Sequence, residues 1–135
     1  MPMSQAPAGR ARSGILLFAH GARDPRWAEP FEAVAARVRA AAPDADVVLA
    51  FLELMAPTLG DAATRLVGAG ATRIDVVPLF LGTGGHLRSD LPPLVDALRI
   101  AHPGVDVHLH AAIGEHVTVV EAMAAAAVAA AGLGE

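Results

Sequence analysis

Three short apolar runs, each closed by a loop bearing histidine, glycine or an acid, limit the folds open to this chain. They are residues 14–19 (GILLFA), 46–52 (DVVLAFL) and 73–81 (RIDVVPLFL). Apolar side chains that run on without alternating predict central strands of a parallel sheet, covered on both faces. Residues 105–110 (VDVHLH) alternate instead, which predicts a strand at the sheet edge.

Each strand leads into a stretch of helical periodicity. Asp24 and Pro25 suit an N-cap and a first helical residue, and Trp27, Phe31, Val34, Val38 and Ala41 then recur at helical spacing until Pro43. Pro57 opens a second helix with Leu59, Ala62, Leu66 and Val67 on one face. Ser89 or Asp90 caps a third, containing Leu91, Leu94, Val95, Leu98 and Ala101. The fourth, over 117–131, turns Val120, Met123, Ala127 and Val128 toward the sheet. Strand and helix thus alternate through four rounds. Short connections and right-handed crossovers make this an α/β fold, a four-stranded parallel sheet of order 2-1-3-4 with helices on both faces. Residues 14–132 are expected to form one domain, and residues 1–13 a disordered N-terminal tail.

Sheets of this kind bind ligands beyond the carboxyl ends of their strands, here at the switch point between strands 1 and 3. His20 follows strand 1 and Glu53 follows strand 2. His86 follows strand 3 after Gly82-Thr83-Gly84-Gly85, and His110 follows strand 4. Two imidazoles and a carboxylate suit a borderline divalent ion such as cobalt, iron, nickel or zinc. Neutral imidazole also accepts a proton near pH 7. Inserting a divalent metal into a porphyrin-like ring uses both functions, because the ion must be held and stripped of water while two pyrrole N–H protons leave. Arg23, Arg26 and Arg88 lie in the loops carrying His20 and His86, where they suit carboxylate arms on an anionic ligand.

The same residues have plainer roles open to them. A histidine ending a strand also serves to bond loop backbone, and Glu53 serves equally as a cap for the segment after it. His108 and His110 are expected on opposite faces of the edge strand, with only one facing the core. His102 reads as a turn residue and His116 as part of the last helix's first turn. Arg37, Arg39, Arg65, Arg73 and Arg99 read as solvated faces.

Composition removes several classes. The net charge of −4 gives no general attraction to nucleic acid. Cysteine is absent, which excludes a disulfide framework and a thiolate metal site. Lysine is absent too, and the Gly82–Gly85 turn fits neither GxxxxGK[ST] nor GxGxxG, so no nucleotide is expected. There is no G-x-S-x-G elbow. No apolar run has the length and flanks of a membrane span, and a cytoplasmic protein is expected.

Three segments, in order, resemble the CbiX/SirB family of small class II chelatases. They are His20-Gly21-Ala22-Arg23-Asp24-Pro25; Ala50-Phe51-Leu52-Glu53 with Pro57 after it; and Pro78-Leu79-Phe80-Leu81 through Gly85-His86 to Asp90-Leu91-Pro92. The resemblance runs over about residues 14–114. It implies a chelatase-like (flavodoxin-like) fold and insertion of cobalt, or alternatively iron or nickel, into sirohydrochlorin or a related tetrapyrrole without ATP. The divalent metal is then a substrate. His20 and His86 match two metal-handling, catalytic histidines, and Glu53 an acidic residue near them. Gly84 and Gly85 join Arg23, Arg26 and Arg88 as substrate-binding candidates. A chain of this length looks like the short form, which pairs as a homodimer to build a cleft that longer members make from two fused halves. Ala22 stands where many relatives have serine, and residues 129–135 lack the histidine-rich or cysteine-bearing tail of some relatives. The competing readings are a non-catalytic metal or tetrapyrrole carrier, and a flavodoxin-like module whose histidines are structural.

Overall fold

A computed structural model describes residues 12–82 and 84–134, without the side chains of residues 85 and 86. Strands β1 (Ser13–Ala19), β2 (Asp46–Phe51), β3 (Arg73–Pro78) and β4 (Asp106–Leu109) form one sheet. All its pairings are parallel and its order is β2-β1-β3-β4, as expected. The helices are α1 (Glu29–Ala41), α2 (Leu59–Gly68), α3 (Gly85–Ala101) and α4 (Val117–Ala130), with 3-10 turns at Pro25–Ala28 and Ile113–Glu115.

Strand alternation sends Leu16, Phe18, Ile74, Val76 and Val107 to one face. There α2 and α3 close a core with Leu59, Ala62, Leu66, Leu91, Val95 and Leu98. The other face carries Leu17, Ala19, Val47, Leu49 and Phe51 beneath Ala28 and Ala35 of the α1 segment. The central strand β1 is covered on both sides, which is why its sequence does not alternate. Full burial of a side chain such as Leu16 or Phe18 contributes roughly 1.5–3 kcal/mol.

Helix starts depart from expectation in two places. Thr58, not Pro57, caps α2: its Oγ1 accepts from the Asp61 N–H at 3.1 Å. Pro57 stays outside the helix because its carbonyl accepts from the Phe51 N–H at 2.9 Å. Helix α3 begins at Gly85, ahead of Ser89 and Asp90, and holds Pro92 and Pro93 inside it. Those prolines cannot donate to the carbonyls of Arg88 and Ser89. All four residues are exposed, so water reaches the orphaned carbonyls and the usual breaking effect is blunted. In α1, Ala35 is buried while Val34 is 40% exposed, because the face turned to the sheet runs through Phe31, Ala35 and Val38. Asp24 does cap that turn, accepting from the Arg26 N–H at 2.9 Å.

The amino terminus is ordered earlier than the tail expected over 1–13. The Arg12 side chain reaches Asp46 at 3.1 Å, its N–H donates to Thr72 Oγ1, and Ser13 is already in β1. Residues 1–11 lie outside the described residues.

Both outer strands carry an arginine clasp, where solvated faces had been expected. Arg39 in the last turn of α1 donates to the Val47 carbonyl of β2 at 3.1 Å. Arg99 in the last turn of α3 donates to the Val107 carbonyl of β4 at 2.8 Å. Arg73 also has a partner, holding Asp75 through two bonds of 3.1 Å.

His108 and His110 share a face rather than opposing each other, since side chains two apart on a strand point the same way. They lie opposite buried Val107. His110 Nε2 sits 2.7 Å from Asp75 Oδ1, and His108 Nε2 sits 2.8 Å from Asp106 Oδ2. Helix α4 is the largest departure. None of its 14 residues is buried, and Val120 and Met123 are 53% and 50% exposed. Val120, Met123, Ala127 and Val128 therefore do not face the sheet of their own chain. A helix that is apolar all round has no stripe to fix which side turns inward.

Burial alone would raise the pKa of Asp75, but the bonds from Arg73 and His110 together outweigh it and hold the carboxyl below its usual range. A depressed folded-state pKa adds stability above the unfolded value, and that stability is lost as pH falls through the folded value. Asp75→Asn should therefore cost about 1 kcal/mol at pH 7. The difference from the parent should shrink as pH drops below about 4. Thermal unfolding across that range tests it; a gap that stays constant to pH 3 would rule out the ionic role.

Candidate active site at the carboxyl edge of the sheet

Backbone hydrogen bonds continue past the strand ends and set the positions of the loops. The Leu52 N–H donates to the Ala19 carbonyl at 2.8 Å and the Glu53 N–H to the His20 carbonyl at 3.0 Å. Glu53 is thereby placed beside His20 across the β1–β2 pairing. Gly21 makes that approach possible. Its φ is +104°, and a Cβ built on it would lie 1.8 Å from the Glu53 carbonyl oxygen. The Glu53 side chain is exposed, and Leu54 after it takes a left-handed φ of 67° that a leucine adopts only under strain.

The His20 ring stands edge-on to Phe80, with centroids 5.7 Å apart and planes at 87°. Its Nδ1 is buried and has no hydrogen-bond partner among the described residues. Leaving such a nitrogen unpartnered costs about 1–3 kcal/mol, and structures rarely tolerate it without a use. The ring borders a cavity of about 290 Å³ lined by Trp27, Phe31, Leu79, Phe80, Leu81, Gly82 and Leu87.

His86 is the second residue of α3, and the neighbouring Leu87 lines the same cavity. The first turn of α3 therefore opens where His20 sits, although the His86 side chain lies outside the described residues. Gly84 caps this helix without a side chain. No capping group competes for the first N–H groups, which favour an anion.

A second close contact joins the remaining loop. The Gly114 N–H donates to the Phe80 carbonyl at 2.9 Å, and a Cβ on Gly114 would lie 1.9 Å from the Leu81 oxygen. The loop after β4 is thus fastened to the loop before α3. The sequence pattern alone assigns residues 112–114 no role; the glycine is the one local signal of the close approach.

The candidate cations differ. Arg26 is engaged with Asp24 at 2.8 Å, and that bond holds the Asp24 carboxyl below its ordinary range. Arg23 and Arg88 are exposed along the edge. His110 does reach the carboxyl end of β4, but its ring turns to the α1 side and meets Asp75, away from His20. It borders a separate groove of about 510 Å³ with Val77, Ile113, Glu115 and His116. His116 caps α4, its Nδ1 accepting from the Thr118 N–H at 3.2 Å. Among the described residues, no three or more histidines and acids gather to hold a metal.

The sequence profile of the CbiX family matches residues 14–130. The chain belongs to the CbiX family. A sirohydrochlorin cobaltochelatase of Methanococcoides burtonii is 35% identical over 82 residues, covering 61% of this chain and 63% of the relative. The match thus spans less than two thirds of that relative's length. A sirohydrochlorin cobaltochelatase of Saccharolobus solfataricus is 34% identical over 100 residues, 71% of this chain and 77% of its own. Among solved structures, a cobalamin (vitamin B12) biosynthesis CbiX protein from Marinobacter aquaeolei VT8 superposes with a TM-score of 0.76. It is 35% identical, with 85% of this chain and 93% of that one covered. The sirohydrochlorin chelatase SirB from Bacillus subtilis subspecies spizizenii, in complex with cobalt, gives 0.75 at 29% identity. It is matched over 84% of this chain and 49% of its own, so one CbiX-type domain corresponds to half of that protein.

The two close glycine contacts predict sharp substitution costs. Gly21→Ala and Gly114→Ala should each lose about 2 kcal/mol or more. Gly60→Ala, inside α2 with open space around it, should instead gain about 0.5–1 kcal/mol. Chemical denaturation of the three variants checks this; a neutral Gly21→Ala would mean that the His20 loop is not pinned by Glu53.

Proposed function

We propose that this chain is a metal chelatase that inserts a divalent ion into sirohydrochlorin or a closely related tetrapyrrole, with no nucleotide. Cobalt is the first candidate, with iron and nickel as alternatives. The observation that carries the reading is His20: a buried imidazole nitrogen without a partner among the described residues, at the mouth of a cavity on the carboxyl edge, beside the start of α3. Family membership, the names of the curated relatives and a cobalt-bound structural neighbour support it.

In this reading His20 and His86 take the incoming ion from water, and as the ion passes to the ring the freed imidazoles take up the two pyrrole N–H protons that it displaces. Glu53, exposed beside His20, accepts a proton or lends an oxygen ligand. Imidazole and carboxylate donors hold such ions without a thiolate, which this chain cannot supply. Arg23 and Arg88 meet the carboxylate arms of the ring, and Arg26 contributes less because Asp24 already occupies it. The N–H groups at the start of α3, around Gly84 and Gly85, offer a further site for a carboxylate. The chain acts as a homodimer in the cytoplasm, with the second copy supplying the other wall of the cleft.

Purified protein, sirohydrochlorin and Co²⁺ should give faster metal insertion, followed by absorbance, than the same mixture without protein. His20→Ala and His86→Ala should each remove most of that acceleration, at least tenfold. Stoichiometric binding of metal or ring without turnover would favour a carrier instead. No acceleration with Co²⁺, Fe²⁺ or Ni²⁺ would end the proposal.

A further inference from the structure

Leu54 is bulky, strained and unpacked at once. Its φ of 67° lies in the left-handed region, which glycine and asparagine enter readily and a branched apolar side chain does not. The fold gains little from it in return. Nearby Leu52 and Met55 pack against the two cores, whereas Leu54 joins neither and is 59% exposed. Strain of this kind gathers where a backbone is held for a ligand. Leu81, after β3, is a second leucine left in the open, 67% exposed.

Single exposed apolar residues are ordinary, and Ile100 near the end of α3 is one. Leu54 and Leu81 differ in where the backbone holds them. With strand order β2-β1-β3, the loops carrying Leu54, His20 and Leu81 lie side by side at the carboxyl edge, in that order. The Glu53 N–H bond to the His20 carbonyl fixes the residue before Leu54, and Gly114 approaches the Leu81 oxygen too closely to admit a methyl group. The outer two loops are two strand spacings apart, roughly 10 Å. A flat ligand resting on both leucines therefore crosses the end of β1, where His20 borders the cavity that Leu81 also lines. Arg23 and Arg88, exposed along the same edge, suit the charged rim of such a ligand but not its apolar face.

We propose that Leu54 and Leu81 are two apolar rests for the face of the tetrapyrrole, one on each side of His20, and that Leu54 keeps its strained backbone for that contact. The inference rests on the chelatase reading above and adds which side chains position the ring over the metal-handling imidazole. Contact with the ring takes both leucines out of water, which is the term that a bare metal ion or a small anion could not supply.

Metal-free sirohydrochlorin titrated into the full chain should quench Trp27, the only tryptophan, which borders the same cavity. Leu54→Asn and Leu81→Asn should each raise the ring's dissociation constant about tenfold. Leu54→Asn should at the same time raise the melting temperature by about 4 °C, because asparagine accepts the left-handed backbone. Leu54→Met keeps both the apolar contact and the strain, and should bind the ring within about twofold of the parent. Ile100→Asn should leave ring binding unchanged. Unaltered ring affinity in both asparagine variants would overturn the inference. So would a lower melting temperature for Leu54→Asn, which would mean that the side chain serves the fold. A variant whose light scattering departs from the parent's would assign the leucines to contact between copies, and would overturn it too. A parent that leaves Trp27 unquenched fails the chelatase reading itself, whereas a parent and variants that bind the ring equally well fail only this inference.

Discussion

Parallel pairing of β1 with both β2 and β3 is the constraint on which the rest depends. It brings the ends of three strands to one edge, and the hydrogen bonds do not stop where the strands do. Leu52 bonds Ala19, Glu53 bonds His20 and Leu79 bonds Phe18, so the loops inherit the register of the sheet. A candidate site assembled from residues far apart in sequence needs such a rigid source of position. Here the backbone supplies it, and the side chains need only project from it.

Two glycines complete that arrangement by what they lack. Gly21 lets the chain turn close over Glu53, and Gly114 lets the last loop lie against Leu81. In both places a methyl group would fall inside the radius of a carbonyl oxygen. The apolar surroundings of His20, with Phe80 edge-on and Leu79 and Leu87 near, restrain the ring without satisfying its buried nitrogen.

The sheet is finished unevenly. Its outer strands are protected by Arg39 and Arg99, each bonding a carbonyl of the strand that follows its own helix. Its α2–α3 face carries the larger buried cluster. Its other face is packed only over β1 and β2, and the polar set Arg73, Asp75 and His110 occupies part of the remainder. The apolar helix that could cover it projects away.

The amino-acid sequence by itself determined the strands, the parallel order and the edge that carries His20, Glu53 and the start of α3. Continuous apolar runs, helical spacing and short connections are local properties, and the handedness of crossovers leaves little freedom once they are known. It also determined the Asp24 cap, because a cap is a contact between near neighbours. Tertiary structure decided what depends on distant partners. Whether α3 survives Pro92 and Pro93 turns on water reaching two carbonyls. The clasps of Arg39 and Arg99, the bond of His110 to Asp75 and the unpartnered Nδ1 of His20 turn on neighbours fixed only after folding. The direction of α4 was beyond the sequence for a different physical reason: a helix apolar on every side carries no instruction about which side to bury, and none of its residues is fully buried in its own chain.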